Sequence, residues 1–347
     1  MERNPFFSIV IPNWKKPKLL EECLKSLGNQ SLQDFELIVV DDNSCDESAD
    51  IAKDFGAKTI ILPERGGFTV AANKGISEAK GEWVILLNND ITADPLFLEA
   101  LYQGIKKYPE AGMFACKILF KNNPKIIDNT GHLIYWDGLN RGRGRMKEDG
   151  IEFDREAEVL FPSGCAGAYK NSLLKRVKGF DTWFKAYGDD ADLGLRLRLL
   201  GTKCFYIPKA KVYHVFSASM GPYSIEKAYL VERNRIAVLI KDFPWQMVVL
   251  SPFWTMIRLS LQGYALISRR KQKEVVPLGF FPLVFTILKA WISAGLRLPV
   301  LLKQRKSIWK NSKLSSWEAF KLYRKFNISA KEIAFGGLFP SNAKNLD

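Results

Sequence analysis

Cysteine is sparse in this 347-residue chain, and its placement is unorganised. The five cysteines, Cys23, Cys45, Cys116, Cys165 and Cys204, are scattered, odd in number and form no Cys-x-x-Cys pair, which excludes a cysteine zinc site and a disulfide framework. A secretory leader is also missing. MERNPFFSIVIPNW runs straight into a strand pattern, without the charged segment, apolar segment and cleavage site of an export signal, so a reducing cytosolic location is expected. No internal repeat is visible. Uninterrupted apolar runs of the ~20 residues that a spanning helix needs are absent too. The two longest apolar stretches, both after Asp242, are broken by Arg258 in one and by Lys289 and Arg297 in the other.

What the chain has in quantity is apolar residues, 47%, and positive charge, +14. Its length and hydrophobic content suit one large or two ordinary domains with real cores. The charge is lopsided: from Lys241 to the end 18 Lys+Arg face 5 Asp+Glu, or +13, and the first 240 residues are nearly neutral. Residues 241–347 therefore read as a basic appendage that meets an anionic surface, either lipid head groups or nucleic acid. Its apolar stretches, FPWQMVVLSPFWTMIRLSLQGYALIS and VVPLGFFPLVFTILKAWISAGLRLPVLL, flank RRKQKE. They are expected to be helices lying in the membrane interface, aromatic side down, with lysine and arginine toward phosphate head groups. RGRGR at 141–145 lacks the aromatic interleaving of single-strand binders, so no nucleic-acid partner is expected.

Residues 1–240 carry an alternating periodicity. FSIVIP, FELIVVDDNS, KTIILP and EWVILLNND are strand-like, and KLLEECLKSLGNQ, CDESADIAKDFG and TVAANKGISEAKG have helical spacing. This predicts an α/β fold, a parallel sheet with helices on both faces. Residues 120–161 are glycine-rich and basic, and predict a pair of strands joined by a mobile loop. In open α/β sheets ligands bind at the carboxyl ends of the strands. Three polar tips lie at such ends: residues 12–15, 41–44 and 88–90.

Asp90, beside the amides Asn88 and Asn89, suits a hard divalent cation, Mg²⁺ or Mn²⁺, that bridges to phosphates. Asp41 and Asp42 can accept hydrogen bonds from a nucleobase and ribose. His214 is one of two histidines and is open to two readings, a structural residue or a ligand of the same cation. His132, in the loop region, is read as structural. YGDDADLGLRLRLL at 187–200 is open as well: its carboxylates either complement a helix dipole or include a catalytic base.

The ordered set SIVIPNW, DDNSCDES, GGFTVAANKGISEAKGEWVILLNND, FPSGCAGAYKNSLLKRVKGFD, YGDDADLGLRLRLLG, VYHVFSAS and VERNRI resembles glycosyltransferase family 2, the inverting GT-A type, and especially its rhamnosyltransferase-like branch. The resemblance runs from about Phe7 to Ile240 and is carried by the ordered set rather than by any single piece. It implies a GT-A nucleotide-sugar-binding domain over 1–240 and a membrane-associating helical region over 241–347. The nucleobase falls to Asp41 and Asp42 with Pro12 and Trp14. Ribose and diphosphate fall to Gly67 and Asn73, with Asn88 and Asn89 beside them. Asp90 becomes the metal ligand of an Asp-x-Asp-like element, with His214 as its companion. Asp190 becomes the base, supported at the acceptor site by Asp189, Asp192, Arg196 and Gly164; where the family usually has Glu this chain has Asp189. Arg196 either orients the acids or forms a helix ion pair, and Arg233 and Asn234 either contact donor or acceptor or lie on a solvated face. The implied partners are a nucleotide sugar, with dTDP-rhamnose first, a polyprenyl-diphosphate-linked saccharide and an anionic membrane, at the cytoplasmic face. Two other readings stand beside this one. A sugar-1-phosphate nucleotidyltransferase would need a glycine-rich loop that PNWKKPKLL lacks, and a silent membrane-bound scaffold or nucleic-acid-binding protein would have no use for acids at all three tips. Within the family, the alternative is a transferase using a UDP-sugar on another glycan acceptor.

Overall fold

A computed structural model of the chain describes residues 4–215, 224–271 and 280–336. The first part alternates as its periodicity predicts: β1 (Phe7–Asn13), α1 (Pro17–Gly28), β2 (Phe35–Asp41), α2 (Ser48–Asp54), β3 (Lys58–Ile61), α3 (Phe68–Glu78) and β4 (Trp83–Leu87). All seven residues of β1 are buried, because it pairs in parallel with β2 on one side and β4 on the other and is covered on both faces. α1 buries Leu20, Cys23, Leu24 and Leu27, one stripe at helical spacing. Gly75 lets α3 approach β1 closely, since a Cβ there would lie 2.2 Å from Val10 Cγ1.

The chain continues through β5 (Ile91–Ala93), α4 (Phe97–Lys107), β6 (Ala111–Phe120), β7 (Asn123–Asn129), β8 (His132–Ile134), β9 (Asn140–Gly142), β10 (Ala157–Val159), β11 (Ala166–Lys170), α5 (Asn171–Val177), α6 (Asp189–Leu199) and β12 (Lys203–His214). The main sheet runs β10-β12-β6-β11-β4-β1-β2-β3, with β5 on β12 and β7 on β6. It is mixed rather than all parallel, because β11 is antiparallel to both β4 and β6. That direction matters for the site: it brings Gly164 and Cys165, just before β11, to the carboxyl end of β4, where Asn88 N–H donates to Cys165 O (2.9 Å). The glycine-rich segment predicted to hold a mobile loop instead forms β7, the β8–β9 hairpin and β10.

Among the described residues six helices follow: α7 (Ile225–Asp242), α8 (Trp245–Lys271), α9 (Phe280–Leu296), α10 (Leu298–Lys310), α11 (Ser316–Lys325) and α12 (Ala330–Phe335). They pack into the body of the protein. Met247, Leu301, Tyr323 and Phe326 join the core that contains Phe161 and Tyr206, and α8 and α12 enclose Tyr135 at the tip of the β8–β9 hairpin. Their outer faces are apolar. Val249, Phe253, Met256, Tyr264 and Ile267 of α8, and Phe281, Phe285, Leu288 and Ile292 of α9, recur at helical spacing and are exposed. Among the described residues no single helix is long and apolar enough to cross a membrane; Phe281–Leu296 with Leu298–Lys310, bent by 62°, reaches that length and composition only as a pair.

Arg258 does not face head groups. Its side chain is 4% exposed, with Nε 2.6 Å from Asp137 Oδ2 and a terminal nitrogen 3.0 Å from Glu232 Oε2. Arg235 pairs with Glu232, and Trp291 Nε1 donates to it as well (2.8 Å). Burial alone would raise Glu232, but Arg235, Arg258 and Trp291 hold its carboxyl down to about 2. Once Asp137 and Glu232 were enclosed, a cation was needed there, and an apolar stretch supplied it. Lys289 is exposed, and Arg297 lies over the Trp183 ring (5.6 Å). Part of the basic RRKQKE segment, residues 272–274, lies outside the described residues.

Candidate active site

A cleft of about 1120 Å³ opens at the carboxyl ends of β1, β2 and β4, walled by the β8–β9 hairpin, the start of α6 and the end of β12. Of the residues singled out in the sequence, it brings together Pro12, Trp14, Asp42, Gly67, Asn88, Asn89, Asp90, Gly164, Asp189, Asp190 and His214.

One end is built on Trp14, whose ring carries the Arg65 guanidinium 3.5 Å from its centroid. Asp42 accepts from Gly66 N–H (2.6 Å) and Gly67 N–H (2.8 Å), which holds the turn entering α3. Gly67 has φ +86, a conformation that a side chain would strain. Asp41 lies outside the lining. Its carboxylate accepts from Asn13 Nδ2 (2.9 Å) and from Ser44 N–H (2.9 Å), and Asn13 Oδ1 in turn accepts from Asn89 Nδ2 (2.7 Å). Asp41 thus orders the Asn88–Asp90 tip from two strands away. Asn73 is also outside the lining: its amide both donates to Phe180 O and accepts from Phe180 N–H, each at 2.8 Å.

At the β4 tip, Asp90 Oδ1 is buried with no hydrogen-bond partner, 3.4 Å from His214 Nε2. His214 Nδ1 donates to Asp128 Oδ2 (2.7 Å), and Arg145 pairs with the other oxygen of Asp128. Burial opposes a charge on His214, but Cys165, Asp128 and Asp90 outweigh it and raise the imidazole well above its usual range, so a metal at Nε2 has to displace a proton there. Burial would likewise raise Asp128, and Arg145 with His214 brings it down to about 2. An unbonded carboxylate oxygen thus lies next to a histidine whose far nitrogen is fixed by a second carboxylate, an arrangement from which the two side chains could take a metal once Nε2 has lost its proton. Among the described residues no group of three or more His, Cys, Asp and Glu forms a closed metal cage.

The opposite end is the start of α6. Lys185, Tyr187 and Gly188 have positive φ, and for the first two this is strained. Asn234 holds the loop by donating from Nδ2 to the carbonyls of Phe184, Ala186 and Tyr187, and Arg233 donates to those of Trp183 and Phe184. Both are outside the lining and shape the loop rather than the cavity. Asp192 and Arg196 are buried beneath it, paired with each other (2.7 Å), while Lys241 Nζ lies 2.5 Å from Asp192. Arg196 also donates to Val177 O and Gly179 O. Asp190 faces the cleft, with Oδ2 3.4 Å from Gly164 N–H and 3.3 Å from His132 Nε2, and Oδ1 3.5 Å from Asn140 Nδ2.

Asp189, 6% exposed, is pushed up to about 8 by burial and by the charge of Asp190, and so holds a proton at neutral pH. A carboxyl raised above its unfolded value destabilises the fold progressively as pH climbs between the two. Asp189→Asn is therefore expected to raise Tm at about pH 7 and leave it nearly unchanged at about pH 4. Thermal scans at both values check this, and an equal effect at the two would contradict it.

The sequence does not single out Asn13, Asp128 or Asn140 as site residues, and gives His132 only a structural reading. Asn13 had a signal, since it lies inside a polar strand tip. The other three lie in a segment without clear periodicity, and their partners are distant in the chain.

Residues 8–177 match the family model Glycosyl transferase family 2. The GalNAc(5)-diNAcBac-PP-undecaprenol beta-1,3-glucosyltransferase of Campylobacter jejuni is 30% identical over 240 residues, 65% of this chain and 72% of that one. The chain belongs to glycosyltransferase family 2. A second relative of this family-2 glycosyltransferase, the poly(ribitol-phosphate) beta-glucosyltransferase of Bacillus spizizenii, is 32% identical over 192 residues, 52% of this chain and 28% of that one. The fold is shared with the crystal structure of S. aureus TarS 1-349 in complex with UDP, at TM-score 0.54 and 19% identity over 96% of this chain and 92% of that one.

Proposed function

We propose that this family-2 enzyme is an inverting transferase that moves a sugar from a nucleoside diphosphate to a hydroxyl of a lipid-linked saccharide, in cell-surface glycan synthesis at the cytoplasmic membrane face. The observation that carries the reading is the cleft itself: Asp190 on one wall, and Asp90 with His214 on another. In a single displacement the acceptor hydroxyl loses its proton to one base while the diphosphate leaves with the electron pair of the old glycosidic bond. Asp190 takes that proton. Asp189, already protonated, supports the acceptor side without competing for it. Trp14, Pro12 and the Asp42-held glycine turn receive the nucleoside, and Asn89 keeps the Asp90 tip in place. Asp90 and His214 would hold Mg²⁺ or Mn²⁺, which when bound neutralises charge growing on the leaving diphosphate.

The relatives named above are glucosyltransferases, which favours UDP-glucose as the first donor to test over the dTDP-rhamnose implied by the resemblance. Calorimetry with both donors, with and without Mn²⁺, is expected to show metal-dependent binding of one of them, weakened at least about tenfold by Asp90→Ala. Failure of every nucleotide sugar to bind would overturn the reading.

We further propose that residues 1–240 form the transferase and 241–347 its membrane-associating region, with the exposed apolar rows of α8 and α9 lying on the lipid surface. The +13 charge selects anionic head groups. Co-sedimentation with phosphatidylglycerol vesicles is expected, with less on phosphatidylcholine and loss in Phe253→Asp/Phe285→Asp. Undiminished binding of that double variant would contradict the assignment.

A further inference from the structure

Lys227 is a cation set where the fold itself disfavours one. It lies in the first turn of α7, where its N–H donates to Ser224 Oγ (3.1 Å) and the helix dipole repels positive charge. Its side chain is half-buried and lines the cleft. Among the described residues no carboxylate, the adjacent Glu226 included, pairs with its Nζ. Nζ lies over the Tyr187 ring, 5.4 Å from the centroid, and an aromatic face is a weak substitute for an anion. Burial lowers its pKa first, the like charge of Arg145 lowers it further, and Asp128 works the other way. A lysine without a counterion ordinarily extends its head into open water. This one is kept beside a second cation and faces a cavity.

The position of Lys227 says which anion is missing. Tyr187 belongs to the loop that enters α6 and leads to Asp190. Arg145 and Asp128 belong to the facing wall, where Asp128 fixes His214 beside Asp90. Lys227 therefore stands between the base and the Asp90 tip. A donor's diphosphate has to lie in that stretch of the cleft if its anomeric carbon is to meet an acceptor hydroxyl at Asp190.

We propose that Lys227 holds the donor's diphosphate and neutralises the charge it gains as the sugar leaves. This rests on the transferase reading of the same cleft. The acceptor oxygen forms the new bond to the anomeric carbon and its proton goes to Asp190, while the electron pair of the old carbon–oxygen bond goes to an oxygen of the leaving diphosphate. Lys227 keeps its proton throughout and donates hydrogen bonds to that oxygen, which strengthen as its negative charge grows. An ammonium is a compact point charge, so the contact selects a diphosphate and reads neither base nor sugar. A lipid diphosphate on the acceptor has the same chemistry, and the place of Lys227 beside Arg145 and Asp128, on the Asp90 side, favours the donor's.

The test titrates the full chain, with Mn²⁺ present, with UDP, UMP, dTDP and dTMP by calorimetry, for the wild type, Lys227→Met and Lys227→Arg, and adds initial rates against donor and acceptor. In Lys227→Met the nucleoside diphosphate that the wild type binds is expected to be held at least about tenfold more weakly, the matching monophosphate to change by less than about threefold, and kcat to fall at least about tenfold. Lys227→Arg keeps the charge and is expected to recover most of both. Tm should not fall in Lys227→Met, since no ion pair is lost and a cation leaves the positive end of a helix. Unchanged diphosphate affinity and kcat would overturn the proposal. So would a lowered Tm with equal weakening of mono- and diphosphate, which would make Lys227 a support of the fold, or a raised acceptor KM with donor values unchanged, which would give the lysine to the lipid diphosphate. A wild type that binds none of the four nucleotides would overturn the transferase reading itself, and this inference with it.

Discussion

Asp190→Asn is expected to lower kcat by roughly 10²–10⁴-fold while changing donor affinity by less than about twofold. The substitution preserves shape and removes only the capacity to take a proton. Donor contacts are assigned to the other walls of the cleft, around Trp14, the glycine turn and the Asp90 tip, so binding should survive. The neighbouring carboxyl is a poor replacement at neutral pH, because burial alone still raises Asp189 once the charge of Asp190 is gone. Steady-state rates paired with calorimetry check the two halves separately. A variant with wild-type kcat would contradict the assignment, and one that no longer binds donor would show that Asp190 holds the donor region together.

The second large effect is structural. Arg258→Leu is expected to destabilise the protein by about 3–5 kcal/mol in chemical denaturation, since it leaves the buried Asp137 and Glu232 carboxylates short of a cation. Arg258 bonds both, at 2.6 and 3.0 Å, from a helix more than a hundred residues along the chain from Asp137. Asp137 lies in the turn between β8 and β9, and that hairpin carries His132 and Asn140 to Asp190. Loss of the arginine should therefore loosen the acceptor wall as well as the fold, lowering kcat before the protein unfolds. A change under about 1 kcal/mol would mean that Arg235 neutralises the pair sufficiently on its own, with Trp291 only hydrogen-bonding to Glu232.

The nucleotide half of the cleft was legible in the sequence because its signals are local. β1 to β4 are continuous apolar runs, the helices between them carry apolar stripes, and strand tips in such sheets collect ligand residues. Asp90, His214 and Asp190 reach one cavity as expected. The direction of β11 was not legible, since AGAYK pairs equally well either way, yet that direction puts Gly164 beside Asp190. Charge was the least readable feature. Asp41, Asp192, Arg196 and Arg258 look from their types like surface or ligand groups, but their partners, at Asn13 and Ser44, within α6, and at Asp137 and Glu232, make them supports. His132 lies 58 residues from Asp190 in the numbering, and only the folded hairpin brings its imidazole against that carboxylate.

The central claim is a single displacement in this cleft, and the stereochemistry of the product tests it most directly. Wild-type enzyme, Mn²⁺, an α-linked nucleotide sugar that binds by calorimetry and a detergent-dispersed polyprenyl-diphosphate-linked saccharide would be incubated together, and the anomeric configuration of the new linkage read by proton NMR. A β linkage, absent when Asp190→Asn replaces the wild type, is the result expected for one base and no covalent intermediate. An α linkage would require a second displacement, and with it a nucleophile that this account does not assign.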